Sequence, residues 1–181
     1  QRQMCIRDRS DPYGHGICIL QFLGRGYDEL SDNDVQYRPV SEADFDALAT
    51  LRIEAMRDSL EQLGRFDPER ARRRLRNTFQ PDHTWAIQHN GQRVGFYTLR
   101  PEGAGLRLDH LYVVPAAQGQ GLGSQVMRRI LQEADSRGLP VAVGALRGSD
   151  SNRFYRRHGF VQTGESEWDI DYLRPVPGQD G

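Results

Sequence analysis

Leu111-Tyr112-Val113-Val114-Pro115, followed after two alanines by Gln118-Gly119-Gln120-Gly121-Leu122-Gly123, is the stretch whose reading decides the architecture. Leu106 to Val114 reads as a largely buried strand that Pro115 stops, because proline brings no N–H to a ladder. Leu122, Val126, Ile130 and Ala134 then recur every four residues, which predicts a helix from about Gly121 to Arg137, ended by Gly138 and Pro140. Between strand and helix, Gly119, Gly121 and Gly123 leave out side chains, so several backbone N–H groups can converge on one anion. The helix dipole adds positive potential there, worth ~0.3 to 1 kcal/mol per nearby charge at an exposed site. A pyrophosphate suits such a turn. The loop lacks the Lys-Ser/Thr pair of a nucleoside-triphosphate loop, and Gly119-x-Gly121-x-x-Ser124 lacks the third glycine of a dinucleotide fingerprint.

Upstream, Val35 to Val40 alternates as a short strand, and Ser41 with Asp44 forms a capping-box pattern opening a helix. Phe45, Ala49, Ile53, Met56 and Leu60 make its apolar stripe. Asp67-Pro68 supplies an N-cap and a first helical residue for a second helix, which runs to about Phe79 and carries a solvated arginine face. Thr84 to Ile87 and Val94 to Leu99 flank Asn90-Gly91, a pair that tolerates positive φ and predicts a tight hairpin. Downstream come a strand at Val141 to Leu146, a short helix at Ser151 to His158, and an antiparallel pair, Phe160 to Thr163 and Trp168 to Leu173. This order implies an α/β (α+β) fold, a mixed sheet of about seven strands with helices on both faces.

Composition narrows the chemistry. The chain of 181 residues carries 24 Lys plus Arg against 25 Asp plus Glu, and a net charge of -1 speaks against a nucleic-acid partner. The longest apolar run, from Ile17 to Leu23 with Gln21 inside it, falls far short of the ~20 residues a membrane helix needs. Both cysteines, Cys5 and Cys18, precede the periodic region, so no disulfide framework or cysteine metal cluster is expected, which favours a reducing, cytoplasmic setting. The five histidines show no metal-binding spacing. Met4-Cys5-Ile6-Arg7-Asp8 resembles a translated sequencing adaptor, and residues 1–34 are read as an artefactual or disordered extension. One domain is expected over residues 35–175, with a short tail over 176–181.

Gln118-x-x-Gly121-x-Gly123 resembles the Q/R-x-x-G-x-G/A signature of the GNAT acetyltransferase superfamily. A second segment, Asn152-Arg153-Phe154-Tyr155-Arg156-Arg157-His158-Gly159-Phe160, resembles that family's F-Y-x-x-x-G-F motif. The likeness covers roughly Val35 to Pro175. It implies the acyl-CoA N-acyltransferase fold, and direct transfer of acetyl from acetyl-CoA to a primary amine of a small molecule or peptide, with no metal. A homodimer is compatible with the family. The cofactor set carried over by the resemblance is Leu111, Tyr112, Val113, Gln118, Gly119, Gln120, Gly121, Leu122, Gly123, Ser124 and Asn152. The family's asparagine seven residues before the tyrosine is Gly148 here, which leaves Asn152 to reach the pantetheine arm.

Three tasks follow from the implied reaction. The thioester oxygen gains negative charge and needs a fixed donor, for which the backbone N–H of Leu111 is suited. The family match places Tyr155 near the sulfur as acid to the leaving thiolate. The amine must lose a proton, and Asp109 is the expected base: strand alternation sets it on the face of Leu111, with His110 on the other. Glu54, Trp168 and Asp169 are expected near the acceptor. The alternative reading is a catalytically silent acetyl-CoA sensor. Covalent acyl-enzyme chemistry is disfavoured, since no cysteine lies beyond residue 35 and no G-x-S-x-G elbow occurs.

Overall fold

A computed structural model describes residues 35–62, 67–167 and 169–178. The expectations for residues 1–34, for Trp168 and for the Leu60 side chain lie outside the described residues. The elements run β1 (Val35–Pro39), α1 (Phe45–Gln62), α2 (Pro68–Thr78), β2 (Thr84–His89), β3 (Gln92–Glu102), β4 (Gly105–Val113), α3 (Leu122–Ser136), β5 (Val141–Leu146), α4 (Ser151–Arg157), β6 (Val161–Glu165) and β7 (Asp169–Arg174). Seven strands form one mixed sheet in the order β1-β2-β3-β4-β5-β7-β6. All neighbours are antiparallel except β4 and β5.

Local signals act where the sequence puts them. Ser41 N–H donates to Asp44 Oδ2 at 2.9 Å, which completes the capping box ahead of α1. Asp67 accepts from the Arg70 N–H and starts α2 one residue before Pro68. Asn90 (φ 51°) and Gly91 (φ 76°) both take the left-handed conformation, and this matches the twist of the β2–β3 hairpin.

Two apolar cores lie on opposite faces of the sheet. Phe45, Leu48, Ala49, Leu51, Ala55 and Met56 of α1 pack with Leu75 of α2 on Phe96 and Tyr112. On the other face, Leu122, Val126, Ile130 and Ala134 of α3 join Phe154 and Tyr155 of α4 over Leu106, Leu108, Leu111, Val113, Val141, Val143 and Ala145. The stripe on α1 is wider than its four-residue spacing suggests, taking in Leu48, Leu51 and Ala55, whereas the expected Ile53 is only half-buried. It also includes Arg52, which is 5% exposed.

Candidate functional site

The sheet is split at its centre. β4 and β5 pair in parallel only through Leu106 to Leu108 and Val141 to Val143, although β4 runs on to Val113 and β5 to Leu146. Beyond that point β4 stays with β3 as far as Gly95 and Val113, and β5 stays with β7 as far as Leu146 and Asp169. A wedge therefore opens from Asp109 and Gly144 onward. Its cause is a bulge: Thr98 pairs with His110 and Leu99 with Leu108, so Asp109 is the extra residue. Such an insertion bends the strand and tightens its twist, which carries the end of β4 away from β5.

The open end of the wedge meets the glycine turn. A 3-10 turn at Pro115–Ala117 follows β4, and the Gln118 side chain donates its Nε2 to the Val113 carbonyl at 2.7 Å. Gln118 is thus a clamp that pins the loop to the strand. Gly119 (φ 75°) and Gly121 (φ 79°) adopt the left-handed conformation, and Gly121 is the N-cap of α3 with no side-chain hydrogen bond to the first turn. The N–H groups of a first helical turn have no intrahelical acceptor, so an anion is well placed to take them. Leu122 (1% exposed) turns its side chain into the core and Tyr112 (0%) turns its side chain under α1, so both serve this turn only through backbone. Gln120 bonds back to the Ala116 carbonyl at 3.3 Å, and Ser124 Oγ lies 3.4 Å from His158 Nε2. These residues, with Gly123 in the same first turn, suit a bound pyrophosphate.

Tyr155 comes from α4 on the core side of the wedge. Its ring is fully buried, 5.4 Å from Phe160, 5.6 Å from Phe154 and 6.2 Å from Tyr172 between centroids. Asn152, one turn earlier, accepts from Tyr172 Oη at 2.9 Å and donates to the Ser149 carbonyl at 2.9 Å. Its amide is therefore held in one orientation.

Asp109 does not share a face with Leu111. Leu108 and Leu111 both enter the core beneath α3, because the bulge spends one residue without reversing sides. The Asp109 carboxylate instead pairs with Arg100 and, at 3.5 Å, with Arg107 Nε, which alternate with Leu99, Leu106 and Leu108 and so point away from that core. Its oxygens are engaged by guanidinium groups on the face opposite Leu111. His110 lies on the same side as Asp109, packed against Phe96 and Tyr112, with Nε2 3.0 Å from Thr78 Oγ1.

Burial, reinforced by the charges of Arg52 and Arg100, pushes the His110 pKa down to about 3. The unfolded imidazole takes a proton near pH 6.5, so this group's contribution is full above that pH and drains away as pH falls toward 3. The slope approaches ~1.36 kcal/mol per pH unit in that window. His110→Gln is expected to flatten the stability profile by roughly that slope in denaturant melts at pH 7, 5 and 4. His158, lowered by burial and by Arg128 and Arg157, contributes a dependence of the same sign.

The remaining expected residues are dispersed. Glu54 is exposed on α1, and Asp169 opens β7, its backbone N–H bonded to Ser166 Oγ at 3.0 Å. Arg52 was not foreseen. Its Nε donates to Tyr112 Oη at 3.2 Å and its Nη1 to the Ala71 carbonyl at 2.5 Å, tying α1, α2 and β4 together. The signal that could have found it is its position three residues after Ala49 and four before Met56, which sets it beside the apolar stripe. Among the described residues no cluster of His, Cys, Asp and Glu is arranged to hold a metal ion, and no helix is long and apolar enough to cross a membrane.

Residues 80–162, which hold the bulge, the wedge, the glycine turn and α4, match the family described as the acetyltransferase (GNAT) domain. Residues 80–162 are therefore a GNAT acetyltransferase domain. No curated protein sequence matches it. Among solved structures, the PaiA N-acetyltransferase from Thermoplasma acidophilum in complex with coenzyme A superposes with a TM-score of 0.61 at 14% identity, covering 78% of this chain and 99% of that one. The ribosomal-protein-S18-alanine N-acetyltransferase from Escherichia coli gives 0.60 at 15% identity, over 81% and 98% of the two chains. N-acetylglutamate synthase from Neisseria gonorrhoeae, complexed with coenzyme A and L-arginine, gives 0.59 at 19% identity, over 80% of this chain and 34% of that one. At these identities the likeness is one of fold.

Proposed function

We propose that this GNAT protein moves an acetyl group from acetyl-CoA directly to a primary amine of a small molecule or peptide. The observation that carries the reading is the wedge between β4 and β5, which starts at Leu108 and Val143 and ends at the glycine turn of α3. A pantetheine arm laid in that opening can hydrogen-bond strand backbone as a missing strand would, through Val113 N–H among others, while the pyrophosphate rests on Gly119 to Ser124. Two of the superposed structures were solved with coenzyme A, and this supports the same ligand here.

When bound, acetyl-CoA supplies the thioester. The chain's own part is to place it, to donate the Leu111 N–H toward the developing oxyanion, and to protonate the thiolate from Tyr155. Asp109 holds Arg100 and Arg107 in place at the bulge. Thiol release from acetyl-CoA with a panel of amines tests the reading, and a protein that binds acetyl-CoA yet releases no thiol with any amine would instead be a sensor. Tyr155→Phe is expected to slow transfer about tenfold or more at pH 7. The deficit should shrink above pH ~9, where a thiol of pKa ~8.5 leaves without help. A pH profile that superposes on the parent's would remove the acid role.

A further inference from the structure

The apex of the wedge is floored on one side by a small cluster of mixed charge. Arg107 is the central β4 residue of the short β4–β5 ladder, and Gly144 is the first β5 residue beyond it. Val143, Ala145, Ile170 and Tyr172 enter the core under α3 and α4, so Gly144 and Asp171, which alternate with them, face the opposite side with Arg107. A methyl placed on Gly144 would stand 3.4 Å from Arg107 Nη2 and 3.8 Å from Asp171 Oδ1. The glycine thus leaves open a space bordered by a guanidinium and a carboxylate.

Neither group is saturated. Arg107 Nε is buried and makes no hydrogen bond among the described residues, and its ion pairs are long, 3.5 Å to Asp109 and 3.7 Å to Glu102. Asp171 is exposed and has no ion-pair partner among the described residues. A buried guanidinium nitrogen without an acceptor is costly, and a ligand oxygen would relieve that cost. Planar, forked donors favour a carboxylate. An ammonium group a few ångströms away would meet Asp171.

The geometry points to an acceptor that carries its own carboxylate beside the amine, a free amino acid, with Arg107 binding the carboxylate and Asp171 the ammonium. This rests on the acetyltransferase reading above and names its substrate class. The deprotonated nitrogen forms the C–N bond to the acetyl carbon as the C–S bond breaks. The sulfur keeps the electron pair. Of the two protons the ammonium sheds, one ends on the thiolate and the other passes through Asp171 to water.

The test compares matched pairs in a thiol-release assay with product identified by mass: phenylalanine against phenethylamine, histidine against histamine, lysine against cadaverine, glycine against methylamine. The amino acids are expected to show kcat/KM at least tenfold above their decarboxylated partners. Arg107→Lys should raise KM for the amino acids at least tenfold and leave that of the amines within threefold. Because Arg107 also touches Asp109 and Glu102, Gly144→Ala provides a second probe: its methyl makes only ordinary contacts, so melting should hold while KM rises more for the amino acids than for the amines. Amines acetylated as well as amino acids, or equal losses for both in either variant, would overturn this inference and leave the acetyltransferase reading standing. Thiol release with no compound at all, despite acetyl-CoA binding by calorimetry, would overturn both.

Discussion

Replacing Gly121 by valine is expected to weaken acetyl-CoA binding at least a hundredfold while the protein still folds. Gly121 holds φ 79° and ψ 0° as the residue that turns the loop into α3. A residue with a Cβ costs roughly 1–2 kcal/mol in that conformation, and a β-branched one has fewer rotamers with which to escape. The chain would relax toward negative φ, and the N–H groups of the first turn would swing away from a shared focus. Hydrogen bonds to a charged group are worth roughly 1.5–3 kcal/mol each, so losing two corresponds to a factor of 100 or more in affinity. Gly138→Ala is the control. It meets a similar left-handed constraint (φ 63°) at the far end of α3, so it should cost a comparable amount of stability and leave acetyl-CoA affinity unchanged. Calorimetric titration beside thermal melts separates the two effects, and affinity within threefold of the parent in the Gly121 variant would move the pyrophosphate elsewhere.

Gly95→Ala should be the most damaging single methyl in the sheet. A Cβ at Gly95 would stand 2.3 Å from the Tyr112 carbonyl oxygen and 3.1 Å from Ile87 Cδ1. The first clash is with backbone, which cannot rotate aside. To accept the methyl, β3 must lift from β4 next to the pairing that ends at Gly95 and Val113, the wall that keeps β4 in place once it has parted from β5. Overpacking of this kind costs ~3 kcal/mol or more, equivalent to a fall in Tm of roughly 10 °C for a domain of this size. Acetyl-CoA binding should weaken with it, because Val113 and the Gln118 clamp move together. Gly144→Ala, whose nearest contact is 3.4 Å, supplies the contrast and should melt within ~2 °C of the parent. Equal melting of the Gly95 variant and the parent would show that β3 and β4 can separate freely at this point.

Most of the fold was legible because its determinants are local. The Ser41–Asp44 box, the Asp67-Pro68 helix start, the Asn90-Gly91 turn and the four-residue repeat from Leu122 to Ala134 each act within a few residues of themselves. The glycine turn belongs to the same class, since the left-handed conformations at Gly119 and Gly121 need only the absence of a Cβ. Tyr155 was singled out only by the resemblance of its segment to the GNAT F-Y-x-x-x-G-F motif, whose Phe154 and Phe160 pack beside it in the core around α4.

Alternation failed at Asp109, and the reason is physical. A strand keeps its two-residue period only while each residue faces one partner, and the bulge opposite Thr98 and Leu99 breaks that rule with no mark in the local composition. Asp109 then joined Arg100 and Arg107 in place of Leu111, and His110 sank beneath α2 against Thr78. Arg52 escaped notice because its charge is accommodated by Tyr112 and Ala71, residues far from it in sequence.

Sequence alone therefore sufficed for the elements and the glycine turn, which depend on backbone freedom and periodicity over short spans. The wedge, the side of the sheet each β4 residue faces, and the meeting of Arg107, Gly144 and Asp171 came from tertiary structure, since they depend on where ladders between distant strands begin and stop.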